Sequence, residues 1–155
     1  MLENDPHKEL NWEFSLRIVR SMKIRNATPE DGAAVTRLLQ SIEGLWQPEW
    51  RSDAVPRAIF AADGLSFVAL EEDRVIGFIC GHDVGFRAYL SELAVTEDRQ
   101  RAGVGVALLR ALESVLSVRG CRLVVADVYP PAEPFYRKQH WTAPAAVLLS
   151  RRLSL

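Results

Sequence analysis

The stretch that decides the fold runs from Leu90 to Glu113 and reads "LSELAVTEDRQRAGVGVALLRALE". Its first six residues have the apolar, strand-like character of a sheet interior, broken by one acid, Glu92. A short charged loop follows, then Gly103 and Gly105, then apolar residues at helical spacing as far as Glu113. A helix start presents N–H groups that no residue of the helix can accept from, together with the positive end of the dipole. Glycines at that point remove the side chains that would keep an anion away from the backbone, so the stretch predicts a site for a phosphate.

Three phosphate loops compete for it, with an ordinary turn before a helix as the plain alternative. The nucleotide-triphosphatase loop needs a Gly-Lys-Ser or Gly-Lys-Thr, which this sequence lacks here. A dinucleotide fingerprint would use Gly103 and Gly105, with Asp127 at the end of the next strand as the ribose acid. Leu108 stands at its third glycine, however, and "TEDRQRA" separates strand from glycine where that fold turns at once. The third candidate is a family match: the stretch resembles the acetyl-CoA-binding motif of the GNAT N-acetyltransferases, a Gln or Arg, two residues, Gly, one residue, then Gly or Ala. Here these are Gln100, Gly103 and Gly105.

Outward from the loop, "SFVALEEDRVIGFICGH" and "FRAYLSELAV" read as a three-stranded antiparallel meander turning at "EEDR". Upstream, "KIRNATPEDGAAVTRLL" reads as a strand and a helix with Thr28 as N-cap, Pro29 at the first helical position and Asp31 completing a capping box. "GLWQPEWRSD" is a connector, and "DAVPRAIFAAD" a second helix. Downstream, "CRLVVADVY" is a buried strand, "PPAEPFYRKQHW" a short proline-started helix and "AAVLLSRRLSL" a last strand, with Trp141 as a brief strand between them. The order β-α-α-β-β-β-α-β-α-β predicts an α/β (α+β) mixed sheet, mostly antiparallel, with helices on both faces. It is similar to the GNAT-like acyl-CoA N-acyltransferase fold from Lys23 to the end, leaving residues 1–22 as an N-terminal extension and 23–155 as one domain. Met22 is an alternative start.

Composition narrows the function classes. In 155 residues, 48% hydrophobic, there is enough apolar material for one core. Nineteen basic against twenty acidic residues give no field to draw nucleic acid or an anionic membrane, so neither partner is expected. Cys80 and Cys121 lie in apolar runs and read as buried free thiols of a reducing, cytoplasmic compartment. His7, His82 and His140 lack ligand spacing, and no metal is expected. The first 21 residues carry acids and Asn where a signal peptide has an apolar core, and no stretch approaches a membrane span.

What the resemblance implies is acetyl-CoA as cofactor, its pyrophosphate held by Gln100, Arg101, Ala102, Gly103, Val104, Gly105 and Val106. The pantetheine arm then pairs like an extra strand along Leu93, Ala94 and Val95, where a main-chain N–H can polarise the thioester carbonyl. It further implies Tyr136 as the acid that protonates the departing thiolate, with aromatic packing beside Phe135 as the alternative. Glu92 would be the base, often through water, or else a strand-edge or salt-bridged acid. Asp127 ends a segment similar to the family branch that acetylates aminoglycosides and similar amines, or it caps the turn before Pro130. His82 and Asp83 are within reach of the same cleft, although a solvated turn is the simpler account. Trp46, Glu49 and Trp50 are acceptor-side candidates, with core packing as the alternative.

The sequence departs from the family pattern at Tyr129, where many members have Asn, at His140 and Trp141, which replace Gly-Phe, and in a short final hairpin. The resulting expectation is an N-acetyltransferase acting on a small-molecule amine or peptide amine in a ternary complex, with room for a homodimer. Neither cysteine has a base partner in sequence, which disfavours an acyl-cysteine route. The rival is a catalytically silent coenzyme A-binding module that regulates a partner.

Overall fold

The computed structural model describes residues 21–153, so the N-terminal extension lies almost wholly outside the described residues. β1 (Met22–Asn26) leads to a short 3-10 turn, Pro29–Asp31, and helix α1 (Gly32–Ser41). The start is set as the sequence predicts: the Thr28 N–H donates to Asp31 Oδ2 at 2.8 Å, the acidic half of a capping box. The Thr28 hydroxyl also donates to that oxygen, at 3.3 Å. Arg25 then grips Asp31 with both terminal nitrogens, at 2.7 and 2.8 Å, tying β1 to the head of the helix.

After α2 (Ala54–Ala61) comes the meander of β2 (Ser66–Glu71), β3 (Arg74–Asp83) and β4 (Ala88–Val95). The pairs β1–β2, β2–β3 and β3–β4 are all antiparallel. Helix α3 (Val104–Val118) and β5 (Val124–Ala126) complete a five-stranded mixed sheet ordered β1-β2-β3-β4-β5.

Helices cover both faces of this sheet. α3 lies on the face of Gly77 and Gly81, where a Cβ on Gly77 would stand 2.8 Å from Leu108 Cδ1 and 2.9 Å from Val104 Cγ1. The two glycines let the helix approach β3 closely. The opposite pleat of β3 carries Cys80, whose thiol donates to the Ala58 carbonyl of α2 at 3.7 Å. Val35, Leu38 and Leu39 of α1, Val68, Phe78 and Ile79 of the sheet, and Leu108, Leu109, Leu112 and Leu116 of α3 form the buried core.

Chain contacts divide at residue 126. The second unit contains a 3-10 turn, Pro130–Ala132, and helix α4 (Glu133–Lys138), started by prolines as expected. Two expectations fail in it. Residues 142–153 form no strand, and neither does Trp141. Val147, Leu148 and Leu149 stay 81%, 69% and 85% exposed, so a run with strong β-propensity has no pairing and no apolar face to bury. Trp141 instead closes the end of α4, donating its N–H to the Tyr136 carbonyl at 3.1 Å. His140, where the family pattern has glycine, takes the left-handed conformation itself at φ 64°. Cys121 also departs from expectation: it is half-buried, while Cys80 is fully buried.

Candidate active site

β4 carries the expected base and runs straight into the glycine loop. Glu92 is half-buried and opposes Cys80 across the β3–β4 pair, with Leu93 opposite Ile79, Ala94 opposite Phe78 and Val95 opposite Gly77. The register slips at one point. Cys80 pairs with Glu92 but Gly81 pairs with Leu90, so Ser91 is the extra residue of a β-bulge.

Beyond Val95 the charged loop is clamped to the sheet. Arg74 makes a two-pronged pair with Asp98 at 2.9 and 3.0 Å, and Arg99 binds Glu71 at 2.7 Å and Asp98 at 3.1 Å. The Arg74 guanidinium holds the Asp98 carboxyl down to about 2. Gln100, the first residue of the motif, acts as a brace: its Nε2 donates to the Val95 carbonyl at 3.1 Å. The sequence showed these charges only as a short charged loop and the turn "EEDR", with no sign of the pairing.

The clamp aims the backbone. Arg101 and Gly103 both sit in the left-handed region, at φ 62° and 87°, and Gly103 caps α3 without any side-chain cap. The loop's own backbone bonds end with Gln100 N–H to the Glu97 carbonyl at 3.3 Å, and those of the helix begin with Ala107 N–H to Gly103 at 3.0 Å. Between them stand six successive N–H groups, from Arg101 to Val106. Left-handed residues alternating with others around a helix start make a nest of N–H donors suited to an anion. Arg101 is exposed and forms no ion pair among the described residues, in contrast to Arg99. Loop and helix start therefore fit the pyrophosphate of a coenzyme A ester, with Gly105 leaving the second helical position without a side chain.

The remaining candidates divide. Asp83 is the exposed last residue of β3, and its side chain accepts the Gly85 N–H of the following turn at 2.9 Å. His82 is not in such a turn: it is half-buried, its Nε2 3.2 Å from Ser91 Oγ and 3.6 Å from Cys80 Sγ. Trp46 and Trp50 meet edge to face at 5.3 Å in the α1–α2 connector, and Glu49 beside them is exposed. In the second unit, Tyr136 is buried and makes edge-to-face contacts with Phe135 at 5.1 Å and Trp141 at 5.2 Å, and Asp127 is exposed. The Ser91 bulge and the polar contacts of His82 were missed in the sequence, because a bulge leaves no compositional trace.

A mixed sheet whose fourth strand feeds a clamped loop and an N–H nest at the head of a long helix defines an acyl-CoA N-acyltransferase fold. Within that class the chain belongs to the GNAT acetyltransferase family, whose model matches residues 34–141. No curated protein sequence matches it significantly. Among solved structures it is similar to Ard1 from Thermoplasma volcanium, at 25% identity over 81% of this chain and 85% of that one, with TM-score 0.71. It shares the fold of PaiA N-acetyltransferase from Thermoplasma acidophilum in complex with coenzyme A, at 21% identity, covering 77% and 88%, with TM-score 0.63. The same holds for the aminoglycoside acetyltransferase meta-AAC0020 from an uncultured soil metagenomic sample, at 21% identity, covering 89% and 99%, with TM-score 0.67.

Proposed function

We propose that this protein transfers the acetyl group of acetyl-CoA to a primary amine by direct attack in a ternary complex. The observation that carries the reading is the six-donor nest placed one clamped turn beyond the strand that bears Glu92. Bound acetyl-CoA supplies the activated acyl carbon and a thiolate leaving group. The chain's own part begins with the nest and Arg101, which hold the pyrophosphate while the Leu93 and Val95 backbone aligns the pantetheine arm. Glu92, directly or through water, removes the proton of the acceptor's ammonium, so the nitrogen lone pair can form the new C–N bond. Tyr136 gives a proton to sulfur as the C–S bond breaks. Asp127, Trp46, Glu49 and Trp50 are proposed for the acceptor side.

A covalent route through Cys80 is disfavoured, because burial pushes its thiol up to about 12 and leaves almost no thiolate near neutral pH. The test is release of free coenzyme A from acetyl-CoA across a panel of amines. Turnover with an amine supports the reading, and cofactor binding without turnover on any amine would make the chain a silent coenzyme A-binding module. Tyr136→Phe should bind acetyl-CoA as well as the parent and lose ten- to ten-thousand-fold in kcat, roughly the range for proton donation. Equal kcat would return Tyr136 to packing. For Glu92→Gln, kcat/KM should fall most at low pH and recover as pH rises, because bulk solvent then deprotonates the ammonium. Parallel pH profiles would make Glu92 structural.

A further inference from the structure

The β4 bulge does more than bend a strand, because it brings the Ser91 hydroxyl to the ring of His82. Ser91 Oγ donates to the Cys80 carbonyl at 3.2 Å, which uses its only hydrogen. The Cys80 thiol donates to the Ala58 carbonyl, and burial keeps that thiol protonated. Both atoms lie within reach of His82 Nε2, at 3.2 and 3.6 Å, and with their hydrogens on those carbonyls they offer it lone pairs. In that arrangement Nε2 is the nitrogen that carries hydrogen. With hydrogen on Nε2 alone, Nδ1 is the acceptor of the ring, and among the described residues it has no hydrogen-bond partner.

The position of that lone pair matters. His82 and Cys80 are two apart on β3 and share a face, and Glu92 opposes Cys80, so imidazole and carboxylate lie on the same side of the sheet. Two residues of strand separate their rows by about 7 Å. Both groups accept hydrogen bonds, and one amine nitrogen at Glu92 cannot reach both. An acceptor that covered this lone pair with nothing further to donate would shut it off from water without replacing the bond. A site built to bond a substrate O–H or N–H discriminates against the analogue that lacks it.

We propose that His82, fixed by the Ser91 bulge with its proton on Nε2, is a specificity residue of the acceptor site, using Nδ1 to select amines that carry a second hydroxyl or amine donor a few bonds from the reacting nitrogen. This rests on the amine-acetylating reading above and adds an acceptor class to it. The bulge is the positioning device, and the imidazole is the group that touches substrate.

Two measurements test it on the full chain. The first is nitrogen-15 NMR of histidine-labelled protein, with the His82 signals identified by their loss in His82→Phe. Proton on Nε2 is expected in the parent, and a proton on Nδ1 overturns the proposal. With coenzyme A present, 3-amino-1-propanol should shift the Nδ1 resonance more than 3-methoxypropylamine does, and equal or absent shifts overturn it too. The second is the ratio of kcat/KM for those two amines. It should favour the hydroxyl compound by about tenfold in the parent and approach one in His82→Phe, with acetyl-CoA affinity preserved. A ratio near one in the parent, or unchanged in the variant, overturns the proposal. If neither amine is acetylated but the Nδ1 shift appears, acetyl transfer to amines falls while the recognition by His82 stands.

Discussion

At the scale of single residues, the positions that matter most are those where a side chain is absent or silent. Gly105 occupies the second position of α3, inside the run of six N–H groups, so under the proposed binding of acetyl-CoA an added carboxylate there would meet the pyrophosphate directly. Gly105→Asp should weaken acetyl-CoA binding about a hundredfold or more, since like charges in contact cost several kcal/mol. Calorimetry on the folded variant measures this, and unchanged affinity would remove the pyrophosphate from the nest. The two cysteines give a second contrast that needs no ligand. Cys80 is fully buried and held protonated, while Cys121 is half-buried, its thiol donating to the Leu123 carbonyl at 3.3 Å. A thiol reagent at pH 8 should modify one cysteine per native chain and two after unfolding. Rapid reaction of Cys80 in the native protein would show that the α2–sheet packing opens.

At the scale of elements, the sequence was most legible where local chemistry and tertiary structure agree. Thr28, Pro29 and Asp31 start a helix wherever they fall before an apolar periodic run, and the alternating strands around "EEDR" can pair only as a meander. The loop from Gln100 to Gly105 was legible because its glycines serve a backbone need that few other residues meet. Elements defined by distant partners were not. Gly77 and Gly81 look like weak points within a strand, yet they are where α3 seats on β3. The run "AAVLLSRRLSL" has the composition of a strand, but composition cannot supply the neighbouring edge that a strand needs. His82 read as part of a turn because only the Ser91 bulge, invisible in sequence, brings a hydroxyl to its ring. The glycine seat is testable. In Gly77→Ala the new Cβ would press on Leu108 and Val104 at 2.8 and 2.9 Å, so stability should fall by about 1–3 kcal/mol. Urea melts measure the loss, and an unchanged midpoint would mean α3 shifts freely.

At the scale of the whole molecule, the acid limit of stability follows from two carboxylates with unequal surroundings. Asp31 is held below the usual carboxylate range chiefly by hydrogen bonds from Arg25, and Asp98 is held down to about 2 chiefly by Arg74. A carboxylate whose pKa is lower folded than unfolded stabilises the protein above its unfolded value, about 3.9, and that contribution disappears as pH falls through the folded value. Both pairs therefore weaken on acidification below roughly pH 4. Their weights differ because solvent reaches them differently: the Asp31 side chain is 9% exposed, that of Asp98 49%. The Arg74–Asp98 pair is screened and should contribute less than about 1 kcal/mol. Asp31 also caps the turn that begins α1 and anchors β1 to it, so its loss removes charged hydrogen bonds in a shielded place. Asp31→Asn should cost about 2–3 kcal/mol at pH 7, and Asp98→Asn far less. Because Asn does not titrate, the Asp31→Asn protein should also lose less of its remaining stability between pH 5 and pH 3, a window of roughly the unfolded carboxylate titration. Urea melts of the parent and both variants at those pH values give the comparison. If the parent and Asp31→Asn lose stability in parallel across it, the acid limit is set elsewhere in the molecule.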